Sequence, residues 1–192
     1  MPFKRLLTTL LLSLLTFTLC HGDGAFRDRI GDWQLAGVRV YDDPDLGFSL
    51  RYDQPDNQDK FDVYFYNNGQ TDLGTGLPGN AVARELGQVI AGIQEIGKRG
   101  YYSDISEPKL GQGTMDLNGD EVAFMFAHVT YRQTDKDSEK LGNPSTDLRQ
   151  SFAFLTTYQG RFLKVRFTVI SEDYDAAFAQ FNGILEQLER SF

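Results

Sequence analysis

The residue types that do most acid–base chemistry near neutral pH are scarce in this chain, which contains only His21, His128 and a single cysteine, Cys20. A Ser-His-Asp or Cys-His device needs an imidazole held by one partner and set against a nucleophile. His128 sits in the run EVAFMFAHVTYR, sharing an alternating face with Phe126 and Thr130. That pattern suits a histidine packed on a sheet better than a general base. Zinc sites take several His or Cys ligands, and these residues do not supply them.

The carboxylates are plentiful and raise two other chemistries. Asp42, Asp43 and Asp45 cluster in one polar turn, and Asp135, Asp137 and Glu139 in a longer polar stretch. Hard oxygen ligands on a loop suffice for a weak calcium site, and the competing reading is a solvated acidic turn. Asp42, Asp43 and Asp45 are the calcium candidates; Asp135, Asp137 and Glu139 are the candidates for contacting a partner. The run 116–120 (DLNGD) echoes a calcium loop, but an EF-hand needs glycine at its sixth position and glutamate at its twelfth. Here Gly119 is fourth and Ala127 twelfth, so a hairpin turn explains these residues better. The glycine-rich segment 67–80 (NNGQTDLGTGLPGN) enters a helix, yet it lacks the G-K-[ST] ending of a phosphate loop. A flexible connection is the better reading, although long loops often carry function. Glycosidase-type carboxylate pairs need a particular separation, and nothing in the sequence selects a pair. No catalytic residue and no organic cofactor is therefore assigned.

Charge and the N-terminus narrow the field further. Lys4 and Arg5 precede an uncharged apolar run over 6–19, a pattern expected of a secretory signal peptide. The run is shorter than the ~20 apolar residues a membrane-spanning helix needs. Cleavage after Gly22 defines 1–22 as the signal, 23–32 as a loosely held polar arm, and 33–192 as one domain. The alternative is lipidation of Cys20, with an anchor in place of free export. Without Lys4 and Arg5 the 19 basic residues fall to 17 against 27 acidic, a net charge near −10. Such a domain is a poor match for nucleic acid, whose binding relies on basic side chains displacing counterions. Loss of Cys20 would also leave no thiol in the mature protein.

Positioning falls to an alternation of strands and two helices. The stretch 149–170 reads as a hairpin turning at Gln159-Gly160. Pairing Tyr158 with Arg161 sets Thr156 opposite Leu163, Phe154 opposite Val165 and Phe152 opposite Phe167, all on one face. The other face is mixed and only partly suited to burial. A second hairpin spans 109–132 around Asn118-Gly119, the strongest short hairpin signal. Its returning strand is apolar on both faces and is expected to be central. Shorter strands are expected over 38–41, 47–53 and 61–66. Apolar residues at Val82, Leu86, Val89, Ile90, Ile93 and Ile96 make a helical stripe from Asn80 to Gly100, with Gly87, Gly92 and Gly97 implying close packing. Tyr174, Phe178, Phe181, Leu185 and Leu188 make a second, capped by Ser171 or Asp173. The expected architecture is α+β, an antiparallel sheet of about six to seven strands sandwiched between amphipathic helices on opposite faces.

Tyr41-Asp42-Asp43-Pro44 leading into Gly47-Phe48-Ser49-Leu50-Arg51-Tyr52, with this element order and a closing amphipathic helix, resembles the PsbP-like family. The fold is shared by periplasmic proteins of the DcrB type. The resemblance covers most of 33–192 and implies the α/β/α sandwich and a binding or accessory role. It carries no site residue, and Asp53 stands where the family commonly has proline. The expectation is a non-catalytic, exported accessory or protein-binding module of the cell envelope. An inhibitor or immunity-type protein is the alternative, and a small hydrolase a third possibility.

Overall fold

Both hairpins close on two consecutive residues with positive φ, Asn118-Gly119 and Gln159-Gly160. This is the geometry of a type I′ turn, whose twist matches that of the strands it joins. The computed structural model describes residues 27–54, 59–134 and 147–190. Its strands are β1 (Arg29–Ile30), β2 (Trp33–Val40), β3 (Phe48–Asp53), β4 (Lys60–Tyr66), β5 (Tyr102–Ser103), β6 (Lys109–Leu117), β7 (Asp120–Gln133), β8 (Leu148–Tyr158) and β9 (Arg161–Ile170). Its helices are α1 (Ala81–Lys98) and α2 (Tyr174–Glu189). All nine strands join one sheet in the order β1-β2-β3-β4-β9-β8-β7, with β5 and β6 both on the far side of β7. Every pairing is antiparallel. The seven longer strands match the expected number; the two extra ones, β1 and β5, are too short to show as alternation.

The β8–β9 register is the one the sequence predicts, with Phe152 opposite Phe167, Phe154 opposite Val165 and Thr156 opposite Leu163. These residues line one face under α2, in a core shared with Phe61, Val63, Phe181, Ile184 and Leu188. The opposite face, carrying Ala127, Ala153, Leu155 and Phe162, packs with Val82 and Leu86 of α1. The helices thus cover opposite sides of the sheet, giving an α+β sandwich.

Several expectations need correction. β7 is an interior strand, paired with β8 on one side and with β6 and β5 on the other and covered on both faces, but it stands next to the edge; the more fully buried strand is β8. The second face of the hairpin reads as mixed because Lys164, Arg166 and Thr168 stand on it, and these belong to β9, not to β8. The arm expected to hang loose is docked from Arg27 onward. Ile30 is buried, Arg29–Ile30 pairs with Trp33–Gln34, and the Tyr52 hydroxyl donates to the Arg27 carbonyl. Trp33 then meets Phe61 and Phe167 edge-on, which fixes the start of β2.

In the turn between β2 and β3, Gly47 has φ +58°, and a Cβ there would stand 1.9 Å from the Phe65 carbonyl oxygen. Glycine is required at that point by contact as well as by conformation. The glycines of α1 divide differently. A Cβ on Gly97 would meet Ile105 at 2.3 Å, whereas Gly87 and Gly92 face open space, so close packing explains only the first. Asn80 is the N-cap residue but makes no side-chain cap bond, while the Asp173 carboxylate accepts from the Asp175 and Ala176 amides.

Candidate functional site

Strand alternation places one polar field beside α1, on the sheet face that the helix only partly covers. Across β3, β4 and β9 the register sets Arg51 beside Asp62 and Asp62 beside Arg166. Arg51 Nε donates to Asp62 Oδ1 at 3.0 Å, which raises the guanidinium pKa further. The arginine side chain is 61% exposed, so this pair adds little stability. One step along, Lys60 lies beside Thr168, and the hydroxyls of Thr168 and Ser151 are 3.1 Å apart. Arg149, at the end of β8, is buried.

A cavity of about 430 Å3 opens in this field, lined by Arg51, Asp53, Gln54, Asp59, Lys60, Gln133 and Arg149. Burial pushes the Asp59 carboxyl above its ordinary range, against the opposing pull of the Ile170 amide it accepts from and of Arg149. Nearby, Tyr102 stacks on Tyr131 with centroids 4.0 Å apart, and burial with that neighbour pushes the Tyr102 hydroxyl up to about 12. Among the described residues the cavity wall offers cations, two carboxylates and amides, but no hydroxyl, thiol or imidazole. It is suited to holding charged groups.

A second polar cluster lies beneath α1 and was not legible in the sequence. Glu85 is only 7% exposed, and its Oε1 accepts a 2.7 Å hydrogen bond from the Tyr66 hydroxyl. The Lys164 ammonium stands 4.7 Å from the ring centroids of both Tyr64 and Tyr66. Burial lowers the Lys164 pKa and Glu85 opposes the shift; burial and the bond to Glu85 raise that of the Tyr66 hydroxyl. The only hint was a glutamate standing inside the apolar stripe between Val82 and Leu86.

His128 is a core histidine. It is 3% exposed, with its ring 4.7 Å from Phe152 and 4.9 Å from Tyr174. Its Nε2 lies 2.7 Å from Gln150 Oε1, and Gln150 Nε2 donates to the Ser171 carbonyl. An amide oxygen only accepts, so Nε2 carries the proton and Nδ1 is left buried without a hydrogen bond. Burial lowers the pKa of the ring, and Lys109 adds to the effect. Among the described residues its neighbours are Gln150, Phe152 and Tyr174, none of them set as a nucleophile.

The acidic candidates separate. Asp43 caps the short 3₁₀ turn Pro44–Leu46 by accepting from the Asp45 amide, and the Asp45 carbonyl accepts from the amides of Asn67 and Asn68. Among the described residues no three His, Cys, Asp or Glu side chains stand together as a cage for a metal ion. Asp42, Asp43 and Asp45 are therefore not gathered into one. Asp116 accepts from the Gly119 amide and so serves its hairpin turn. Asp135, Asp137 and Glu139 lie outside the described residues, as does the segment 1–26.

The segment 67–80 is not the flexible connection expected. Leu73 is buried, Gly76 exchanges two backbone hydrogen bonds with Thr157, and the Thr157 hydroxyl donates to the carbonyls of Leu73 and Gly76. It is a strap across β8. Its lone leucine among polar residues was the available signal.

No family model matches the chain, and no curated protein is significantly similar to it. Among solved structures, the chain is similar to cyanobacterial PsbP (CyanoP) from Synechocystis sp. PCC 6803. The TM-score is 0.39 and the sequence identity 16%, over 86% of this chain and 93% of that one.

Proposed function

We propose that this protein is a non-catalytic, exported accessory module of the cell envelope that works by binding a protein partner. One observation carries the reading: the buried groups best suited to acid–base work are tied into the fold. His128 is sealed between two rings and a glutamine, and Glu85 is held by Tyr66 beneath α1. The charged groups that remain accessible form an open face on a rigid sheet, an arrangement suited to recognition. Export rests on the apolar run 6–19 and the basic residues before it. Among the described residues no helix is long and apolar enough to cross a membrane.

The acidic balance favours a basic partner, and Asp135, Asp137 and Glu139 are assigned to meeting it. Neutralising them together, as Asp135→Asn, Asp137→Asn and Glu139→Gln, should slow association and flatten its salt dependence, leaving dissociation nearly unchanged. Surface plasmon resonance against the partner retained from envelope extract measures both rates. Unaltered association would remove these residues from the interface. An inhibitor or immunity-type protein is the same binding mode with a basic enzyme as target.

A small hydrolase is the second reading, favoured by Asp53 and Asp59 lining one cavity with Asp59 raised. Turnover of any glycoside or ester substrate that Asp59→Asn abolishes, in protein that remains folded, would move the assignment there.

A further inference from the structure

The sheet has two edges, and they are finished differently. At the β6 edge the gaps left by Gly111 and Gly113 are filled by the rings of Phe126 and Phe124, and Glu189 of α2 takes the Asp116 amide at 3.2 Å. At the other edge, β1 pairs only with Trp33–Gln34, and the Leu35 amide reaches the Asp28 carbonyl. A bulge between Leu35 and Gly37 then reverses the parity of β2. Beyond it the Tyr41 amide donates to the Gly47 carbonyl, which fixes the odd residues as those bonded inward to β3. The N–H and C=O groups of Val38 and Val40 therefore point outward, where no described strand meets them.

The side chains along this edge alternate in a definite way. Val38 and Val40 are 52% and 68% exposed, on the face that carries α2 elsewhere. Behind them Phe48 and Phe65 stack with centroids 4.9 Å apart and are themselves only half-buried. On the other face Arg39 is exposed, with its guanidinium over Tyr41, and Arg51 stands opposite Gly37. No atom lies within 4 Å of where a Cβ on Gly37 would be, so a side chain arriving there has room to reach both arginines. Asp62 already holds Arg51, but that arginine keeps most of its surface in water. The aspartates of the turn 42–45 close the far end, so an incoming carboxylate belongs opposite Gly37 and Arg39, not past Tyr41.

An exposed edge with β-branched residues is a template for another strand, and native proteins usually blunt it. We infer that the outer edge of β2 receives an extended segment of a partner protein in which apolar and acidic residues alternate. The apolar ones lie over Val38 and Val40, the carboxylates over Gly37 and Arg39, and the backbone bonds to the four outward groups of the two valines. A second copy of this chain fits less well, because two-fold pairing centred on Arg39 sets like charges opposite each other. The inference rests on the reading of the protein as a binding module and names the chemistry of one segment of that partner, an acidic strand on a protein that is basic elsewhere.

The test uses purified protein and three fluorescent peptides, read by anisotropy. The first is Thr-Glu-Val-Glu-Val-Glu-Thr, the second has lysine for glutamate, and the third is the first with both valines N-methylated. The first should bind saturably, and the others at least tenfold more weakly. Arg39→Glu should reverse the preference between the first two. Val38→Pro removes an outward N–H and fixes φ at an edge position that tolerates proline, and should abolish binding; Val40→Lys, which leaves the backbone intact, should weaken it in the same direction. Equal binding of the N-methylated peptide, or an unchanged preference in Arg39→Glu, would overturn the proposal. So would the absence of binding at millimolar peptide, or sedimentation of the protein as a dimer that Val38→Pro dissociates. Were envelope-partner capture to survive Val38→Pro, this edge would be excluded while the binding-module reading stood.

Discussion

The bond between Tyr66 and Glu85 gives the clearest energetic forecast. Removing the hydroxyl in Tyr66→Phe leaves a carboxylate that is only 7% exposed without its 2.7 Å donor. Hydrogen bonds to charged groups contribute ~1.5–3 kcal/mol, and the single variant should lose about that much. Glu85→Leu keeps the volume but strands the tyrosine hydroxyl, at a cost of about 1–3 kcal/mol. The double variant replaces both polar groups with apolar ones and should lose at least 1 kcal/mol less than the sum of the two. Urea unfolding with an unchanged m-value supplies the three free energies. Lys164 adds a second readout. Its lowered pKa means that at this group the unfolded chain binds more protons than the folded one as pH rises toward 10.5, a gain of stability with pH that the raised Tyr66 hydroxyl opposes from about pH 10 upward. Without the Glu85 carboxylate the lysine pKa falls further, and that gain should steepen. Single variants each costing under 0.5 kcal/mol, and additive within ~0.5 kcal/mol, would refute the cluster as a fastening between α1 and the sheet.

Phe167 is fully buried, and Phe167→Ala should cost ~3–5 kcal/mol in the same assay; a loss below about 1 kcal/mol would mean its face is wrong. Gly87→Ala and Gly92→Ala should each raise stability by up to ~1 kcal/mol, measured by thermal unfolding. Gly97→Ala should gain nothing, because its methyl meets Ile105. His128 is lowered in the folded state, so the unfolded chain binds the extra proton and stability falls as pH drops through about 6.5. The slope should not exceed the one-proton limit of ~1.4 kcal/mol per pH unit, and His128→Gln should remove it.

The hairpins were legible because each turn pair needs positive φ at both residues, and that fixes the register of every residue behind it. The helices were legible from their stripes. What escaped depends on non-local pairing. Arg51, Asp62 and Arg166 share a face only because β4 pairs with β9, more than 90 residues away in sequence, and no local pattern announces that. The free edge at Val38 and Val40 is likewise a property of strand order, since the same alternation would serve an interior strand. Glu85 was hidden because a helical stripe is read by its apolar members. Leu73 gives no signal because a single leucine makes no period. The two apolar faces of β7 report cover by side chains and so mark an interior strand, but they do not say how many strands lie beyond it.

The central claim is that the protein acts by holding a partner rather than by turning over a substrate. Immobilised protein should retain one envelope protein saturably, in stoichiometric amount, with release by soluble protein and slower association as salt rises. Retention of nothing at any ionic strength, together with many turnovers of a substrate per protein molecule that Asp59→Asn abolishes, would contradict it.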